Sequence, residues 1–291
     1  MEENLNEALQ QAQGKKNKSD DILYINLEPC CHHGSTPPCT DAIVASGIKH
    51  VVIGMVDPDA RVAGKGIAIL RRAGIEVIGP VLRAECERLN RGYISLRTKG
   101  RPYITLKRAQ TIDGRVAGDN GTRLCITSEE QNVWSHTFLR STHDAILVGV
   151  QTVLSDDPLL TIRMPADRSL GEGSNKKFDQ SNPQPVAVIL DPDLRIPLEA
   201  RVLRKGTVVV IKETKGTKGT KEALLKKKGV TVIKVPMIDG HFDWEALWKS
   251  LSTLHSPLST LLVEGGPKTW EAFRKAGIVD EEVILIGNTC D

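Results

Sequence analysis

The chain has 291 residues, 40% of them hydrophobic and 26% charged, with a formal net charge of +3. This is an ordinary globular mixture, long enough for two domains with buried cores. The small net charge gives no electrostatic reason for a nucleic-acid or membrane-surface partner, and the longest apolar runs, residues 51–56 and 145–150, are far too short to cross a bilayer.

The chain opens on Met-Glu-Glu-Asn-Leu-Asn-Glu, with neither a basic nor an apolar stretch. No export signal is therefore expected, and the cytoplasm is the expected compartment. Residues 5–12 read as a short helix and 14–21 as a polar loop. Residues 22–27 read as a strand that runs directly into a cysteine-rich loop. A helix is predicted at 41–46, stopped by Gly47. A strand follows at 51–56, a helix at 67–72 and a strand at 75–78. Strand–helix–strand alternation predicts parallel pairing through helical crossovers. The pattern breaks at the basic, polar stretch from Ser95 to Pro102, which places a domain boundary there. The expected domains are 1–97 and 101–291.

In the second domain, strands are predicted at 103–108, 145–150, 186–190, 207–211, 230–235, 260–263 and 282–286. Helices are predicted at 128–140, 221–227, 244–251 and 269–276. Residues 163–184 form a long loop rich in Asp, Ser, Gly and Pro. The basic segment 212–227, with its small Lys-Gly-Thr repeat, has no aromatic residue for base stacking and reads as a solvated loop feeding a helix.

Three of the six cysteines, Cys30, Cys31 and Cys39, fall within ten residues. With no export signal, such crowding favours metal binding or catalysis over disulfides. Gly34, Pro37 and Pro38 turn the chain tightly between Cys30 and Cys39, so two thiolates can reach one zinc ion, which wants sulfur and nitrogen ligands in a tetrahedron. The run Leu27-Glu-Pro-Cys-Cys-His-His-Gly-Ser-Thr-Pro-Pro-Cys39 resembles the deaminase signature of the bifunctional riboflavin-biosynthesis deaminase/reductase family. Its cysteine spacing is wider than in the general zinc-deaminase pattern. The likeness continues through Asp57-Pro-Asp, Val62-Ala-Gly-Lys-Gly66 and Leu89-Asn-Arg-Gly92.

The resemblance implies that Cys30 and Cys39 are zinc ligands and that His32 lines the substrate pocket. A basic residue common in this loop is Ser35 here. The family's third ligand is the histidine of a His-Ala-Glu motif. By alignment with the following helix it falls just before Met1, with Glu2 at the position of the proton-shuttling glutamate. The first strands and helix of a deaminase core are expected to be missing as well.

In the second half, Thr260-Leu-Leu-Val-Glu-Gly-Gly-Pro267 is a strand that breaks into two glycines before a helix, a shape that lets backbone approach a pyrophosphate. Six motifs follow the order of the same family's reductase domain: Arg101-Pro-Tyr-Ile-Thr-Leu-Lys107, Thr111-Ile-Asp-Gly-Arg115, Ile126-Thr-Ser-Glu129, Asp144-Ala-Ile-Leu-Val-Gly-Val150, Thr152-Val-Leu-Ser-Asp-Asp-Pro-Leu-Leu-Thr-Ile-Arg163 and Val263-Glu-Gly-Gly266. That domain is dihydrofolate-reductase-like. The implied α/β architecture is a partial cytidine-deaminase-like domain followed by this one, with several further strands expected beyond Asp291.

Carried over by resemblance, NADPH meets Ala109, Cys125, Thr152, Asp156 and the turn Gly266, Pro267, Lys268, Thr269, Trp270 and Glu271. The ribosyl-phosphate substrate meets Arg123, Arg140, Leu160, Arg163 and Glu264, with Lys107 as a nearby donor. Guanidinium groups at Arg140 and Arg163 suit a phosphate. Cys125 stands where the family commonly has Trp. The implied cofactors are Zn2+ and NADPH. The implied reactions are hydrolytic deamination of a pyrimidine ribosyl phosphate, then reduction of its ribosyl chain. A homo-oligomer without nucleic-acid or membrane partners is expected. The rival expectation is a reductase whose deaminase-like domain is degenerate, which zinc content would distinguish.

Overall fold

In the computed structural model, residues 21–116, 126–163, 184–213, 219–254 and 258–287 are described. The predicted helix at 5–12, most of the 14–21 and 163–184 loops, and Glu2, Arg123 and Cys125 lie outside them. The chain divides into two compact units between Gly100 and Arg101. Among the described residues, no helix is long and apolar enough to cross a membrane.

The first unit alternates strands and helices: β1 (Ile22–Ile25), α1 (Cys39–Ser46), β2 (His50–Ile53), α2 (Lys65–Arg72) and β3 (Glu76–Ile78), then α3 (Arg83–Leu89) and α4 (Arg91–Lys99). The sheet runs β1-β2-β3 with every pair parallel, Leu23 opposite Val51 and Val51 opposite Val77. The crossovers α1 and α2 bury Ile43 and Leu70 against Val51, Ile53 and Ile75. Each such side chain removed from water contributes roughly 1.5–3 kcal/mol.

The parallel alternation is as expected, whereas α3 and α4 are additions to the expected elements. Their inner faces carry Cys86, Gly92 and Ser95 in place of an apolar stripe, so the hydrophobic period is faint. Gly54 allows the contact: a Cβ there would stand 2.2 Å from Cys86 Sγ. The Ser95–Pro102 stretch, where the domain boundary is expected, holds the division between the units. It is helical to Lys99 and ends on Gly100 at φ 66°, a left-handed cap.

The second unit is built on β4 (Tyr103–Thr111), β5 (Ala145–Gly149), β6 (Val186–Leu190), β7 (Val208–Lys212), β8 (Thr231–Val235), β11 (Thr260–Val263) and β12 (Glu281–Gly287), ordered β12-β4-β11-β5-β6-β7-β8 and all parallel. Both faces of the sheet's middle are covered, so β5 and β6 are apolar throughout instead of alternating with polar residues, and β11 is buried along its whole length. Ile146, Val148 and Leu262 face one cluster, which also takes Leu139 and Leu225. Ala145, Leu147, Leu261 and Val263 face the other, with Trp248 of α8 (Trp244–Leu251) and Phe273 of α9 (Pro267–Lys275). The helix α7 (Gly219–Lys227) and a short hairpin, β9 (Met237–Ile238) with β10 (His241–Phe242), complete the second half.

Three departures from expectation matter for the site. Strand β4 runs three residues longer than predicted, because β12 pairs with it as far as Thr111. Strand β5 stops at Gly149, and α6 (Val150–Asp156) follows at once. The predicted helix at 128–140 is α5 (Glu129–Trp134), started by a Ser128 capping box, and then a π-helical turn over Ser135–Leu139.

Candidate active sites

In the first unit, Cys30 follows β1 and Cys39 opens α1 after the Pro-Pro pair. The Cys39 N–H donates to Cys30 Sγ at 3.2 Å, and the Thr40 N–H to the Cys30 carbonyl at 3.2 Å, so the loop folds back onto the first sulfur. Cys31 points elsewhere and donates to the Arg61 carbonyl at 3.7 Å. Two cysteines whose loop closes in this way offer zinc a soft donor pair. Among the described residues, no third His, Cys, Asp or Glu completes a metal-holding group.

The loop is anchored by a residue whose role the sequence did not reveal. The Glu28 carboxylate, 2% exposed, accepts the N–H groups of Asp57 (3.1 Å), Gly64 (2.8 Å) and Ile67 (3.1 Å). Gly66 is required beside it, since a Cβ there would lie 2.2 Å from the Pro29 carbonyl oxygen.

These elements enclose a cleft of about 210 Å³ that Cys30, His32 and Ser35 share with Asp57, Tyr93 and Arg97. His32 Nδ1 is buried there with no hydrogen-bond partner among the described residues. The Tyr93 hydroxyl donates to Asp57 at 3.0 Å, and burial, helped by that contact, pushes its pKa up to about 12. Arg61 grips Asp59 through Nε and Nη2 and holds its carboxyl well below the usual range. Arg97 stands over the Tyr93 ring, 5.2 Å from its centroid. Sequence patterns give no hint of Tyr93 and Arg97, which lie on the unpredicted α4, or of the grip of Arg61 on Asp59, the last residue of the Asp57-Pro-Asp motif.

In the second unit, the carboxyl ends of β4, β11 and β5 meet where the strand order reverses, the place at which open parallel sheets bind ligands. Glu264 follows β11, and its N–H donates to the Leu147 carbonyl at 3.0 Å. Arg140, 4% exposed, closes on Glu264 with Nε to Oε1 at 2.9 Å and Nη2 to Oε2 at 2.6 Å, and gives Nη1 to the Thr161 carbonyl at 2.8 Å. Burial pushes the Glu264 carboxyl up, but the bonds and charge of Arg140, with Lys107, outweigh it and hold the carboxyl below its usual range. Lys107 on β4 is lowered by burial, against the pull of Glu264. The resemblance gives Arg140 to the substrate phosphate. The structure instead commits its fork to Glu264, 124 residues away in the chain.

Arg163 ends a constrained segment. Asp157 and Leu160 both adopt the left-handed region, at φ 39° and 49°, which costs a residue other than glycine about 1–2 kcal/mol. Arg204 holds the second of these by donating to the carbonyls of Leu159 (2.6 Å), Leu160 (3.1 Å) and Pro185 (3.1 Å). Leu160 is buried at 2% exposure, so its side chain packs in the core while its backbone shapes the site.

The cofactor positions gather around the same strand ends. Ala109 lies on β4 opposite Leu285 of β12. Thr152 and Asp156 lie on α6. The two glycines have different jobs. A Cβ at Gly265 would come 2.6 Å from Thr269 Cβ, so this glycine lets α9 pack on the strand end. A Cβ at Gly266 would meet nothing within 4 Å, so open space faces this residue at the N-cap of α9, as a dinucleotide phosphate requires. Pro267, Lys268, Thr269, Trp270 and Glu271 form the first turns of α9. The Trp270 ring packs on the core cluster, and its backbone N–H donates to the Gly266 carbonyl at 3.2 Å.

Comparison with known proteins finds a family match for each unit. Residues 102–289 match the RibD C-terminal domain family, and residues 4–55 match the cytidine and deoxycytidylate deaminase zinc-binding region. The riboflavin biosynthesis protein RibD of Aquifex aeolicus is 43% identical over 281 residues, 96% of this chain and 72% of its own length. Among solved structures, Acinetobacter baumannii RibD, form 1, has a TM-score of 0.79 at 30% identity, covering 99% of this chain and 74% of that one. The Thermotoga maritima diaminohydroxyphosphoribosylaminopyrimidine deaminase/5-amino-6-(5-phosphoribosylamino)uracil reductase has a TM-score of 0.75 at 31% identity, covering 98% and 73%. The chain therefore belongs to the RibD family of riboflavin-biosynthesis proteins, with a deaminase zinc-binding region ahead of the RibD C-terminal reductase domain.

Proposed function

We propose that the two units perform consecutive steps of riboflavin biosynthesis on one small molecule. The first is hydrolytic deamination of 2,5-diamino-6-ribosylamino-4(3H)-pyrimidinone 5′-phosphate, and the second is NADPH-dependent reduction of the product's ribosyl chain to ribityl. The observation that carries this reading is the presence of a cleft bearing Cys30 and His32 in one unit and a buried charged cluster beside a two-glycine turn in the other.

In the first cleft, Cys30 and Cys39 would hold zinc, which would supply a water acidic enough to act near neutral pH. His32 faces the same cleft with a free ring nitrogen for the pyrimidine. Glu28 keeps the loop closed by its three backbone contacts. Glu2 is carried as the proton shuttle by resemblance alone.

In the second cleft, NADPH supplies a hydride when bound. Opening a ribosyl ring to a ribityl chain would break the bond from C1′ to the ring oxygen, and that oxygen would need a proton. Lys107, lowered by burial and beside Glu264, is the group suited to give it. Arg163 takes the phosphate, and Arg140 positions Glu264 for the sugar hydroxyls. Thr152, Asp156, Ala109 and the turn at Gly266 receive the dinucleotide.

A double dissociation tests this assignment. Cys39→Ser should abolish zinc-dependent ammonia release by orders of magnitude and leave reduction of pre-deaminated substrate intact. Gly266→Ala should weaken NADPH binding about tenfold, by filling the phosphate space, and leave zinc content unchanged. Loss of both activities from either change would sink the two-cleft reading.

A further inference from the structure

His136 is engaged twice by the same neighbour. The backbone N–H of Arg163 donates to its carbonyl at 2.9 Å, and Arg163 Nη2 stands 3.1 Å from the ring's Nδ1 and 3.2 Å from its Nε2. No other described group bonds to the Arg163 guanidinium. The turn that presents His136 is the π-helix over Ser135–Leu139, in which the Arg140 N–H reaches back five residues to Ser135 O. Such turns are rare in proteins and recur at functional sites. Ring and guanidinium sit among Lys107 from β4, Arg140 from the end of the π turn and Glu264 from β11, three cations with Arg163 against one carboxylate. That surplus of positive charge at a half-buried place suits an anion.

Resting on the assignment of Arg163 to the substrate phosphate, we propose that His136 is a positioning residue of the reductase, holding Nη2 of Arg163 so that Nε and Nη1 face the incoming phosphate. Because Nη2 is almost equally far from both ring nitrogens, it stands over the face of the imidazole and not along either in-plane lone pair. A neutral ring attracts a guanidinium placed there, whereas an imidazolium repels it. Burial, then Arg140 and Arg163, lower the His136 pKa to about 4, which keeps the ring neutral at working pH. A long flexible arginine left unheld would lose rotamer freedom each time phosphate bound. His136 removes that loss in advance.

The test uses the full chain with pre-deaminated substrate. His136→Ala should raise the Michaelis constant for the phosphorylated substrate about tenfold while kcat at saturation and NADPH affinity change less than about twofold. His136→Gln, whose amide oxygen can accept from Nη2, should recover most of the loss. In an Arg163→Ala background, His136→Ala should add nothing further, since the residue it positions is gone. An equal effect in that background, a parallel loss of NADPH affinity, or no rescue by Gln would overturn the positioning role. Should Arg163→Ala itself leave the substrate Michaelis constant unchanged, the phosphate assignment fails and this inference fails with it. An effect of Arg163→Ala without one of His136→Ala removes only the inference.

Discussion

Each unit places one buried glutamate just past the end of a strand, and the two are used in opposite ways. Glu28, after β1, gives its carboxylate to three backbone N–H groups 29 to 39 residues downstream, one from a loop and two from the start of α2. Glu264, after β11, gives its carboxylate to one guanidinium, with Lys107 and His136 close enough to feel its charge. The first is a staple: it satisfies buried donors and fixes where the cysteine loop lies, and no reacting group needs to touch it. The second is part of a charge balance, so removing any member changes the state of the others. A buried carboxylate thus marks loop closure in one unit and a ligand site in the other, and the nature of its partners, backbone or ionised, separates the two cases.

The largest effect is expected where the charge balance is broken. Arg140→Met leaves Glu264 buried without its cation, and losing one partner of such a pair costs about 3–5 kcal/mol. Trp134, Trp244, Trp248 and Trp270 are the only tryptophans, and all lie in the second unit. Denaturation followed by tryptophan fluorescence therefore reads this unit alone. Arg140→Met with Glu264→Leu should regain most of the stability and none of the reductase activity. A destabilisation below about 1 kcal/mol for Arg140→Met, the range of a solvated pair, would mean that the contrast with Glu28 does not hold.

A smaller and more local effect is expected at the staple. Glu28→Gln keeps the shape but turns an amide NH2 toward backbone donors. Buried N–H groups are then left without an acceptor, at a cost of about 1–3 kcal/mol. Hydrogen exchange should speed up at the amides of Asp57, Gly64 and Ile67, the three N–H groups that Glu28 now accepts. The tryptophan-detected transition should not move. If it did, Glu28 would have a reach beyond its own unit that its partners do not suggest.

Much of this is legible in the sequence, for identifiable reasons. Both parallel sheets follow from short β-branched runs alternating with helical ones. The approach of Cys30 and Cys39 follows from Gly34 and the two prolines between them, which force a tight turn. The bond from Glu264 to Arg140 is not legible, because it joins residues 124 positions apart that each carry a charge suited to many partners. A guanidinium in a phosphate-binding family reads as a phosphate ligand until its fork is seen to be occupied. The helix α6 is hidden because Val150 continues the apolar run of β5 without a break, and the strand ends on Gly149 by backbone geometry alone. The Arg204 clamp is hidden for another reason: it binds only carbonyl oxygens, and every residue has one.

The smallest expected effect concerns proton binding at His136. In the folded chain its pKa is held at about 4 by burial and by Arg140 and Arg163, against about 6.5 for a free histidine. Between those values the unfolded chain binds a proton that the folded chain does not. Stability of the second unit therefore rises with pH across that window, is fully present above about 6.5, and is lost as pH falls toward 4. The ring is only half buried, and solvent screening brings the loss down to about 1 kcal/mol, or about 2–4 °C in melting temperature for a unit of this size. Carboxylates titrate in the same range, so a single melting curve against pH would not isolate it. The difference between wild type and His136→Gln does, because the other groups are common to both. That difference should be flat above pH 7 and should turn against the wild type as pH drops through 5. A difference that stays flat to pH 4 would mean that the ring takes up its proton as easily folded as unfolded, and the cations around it would then not be shaping its charge.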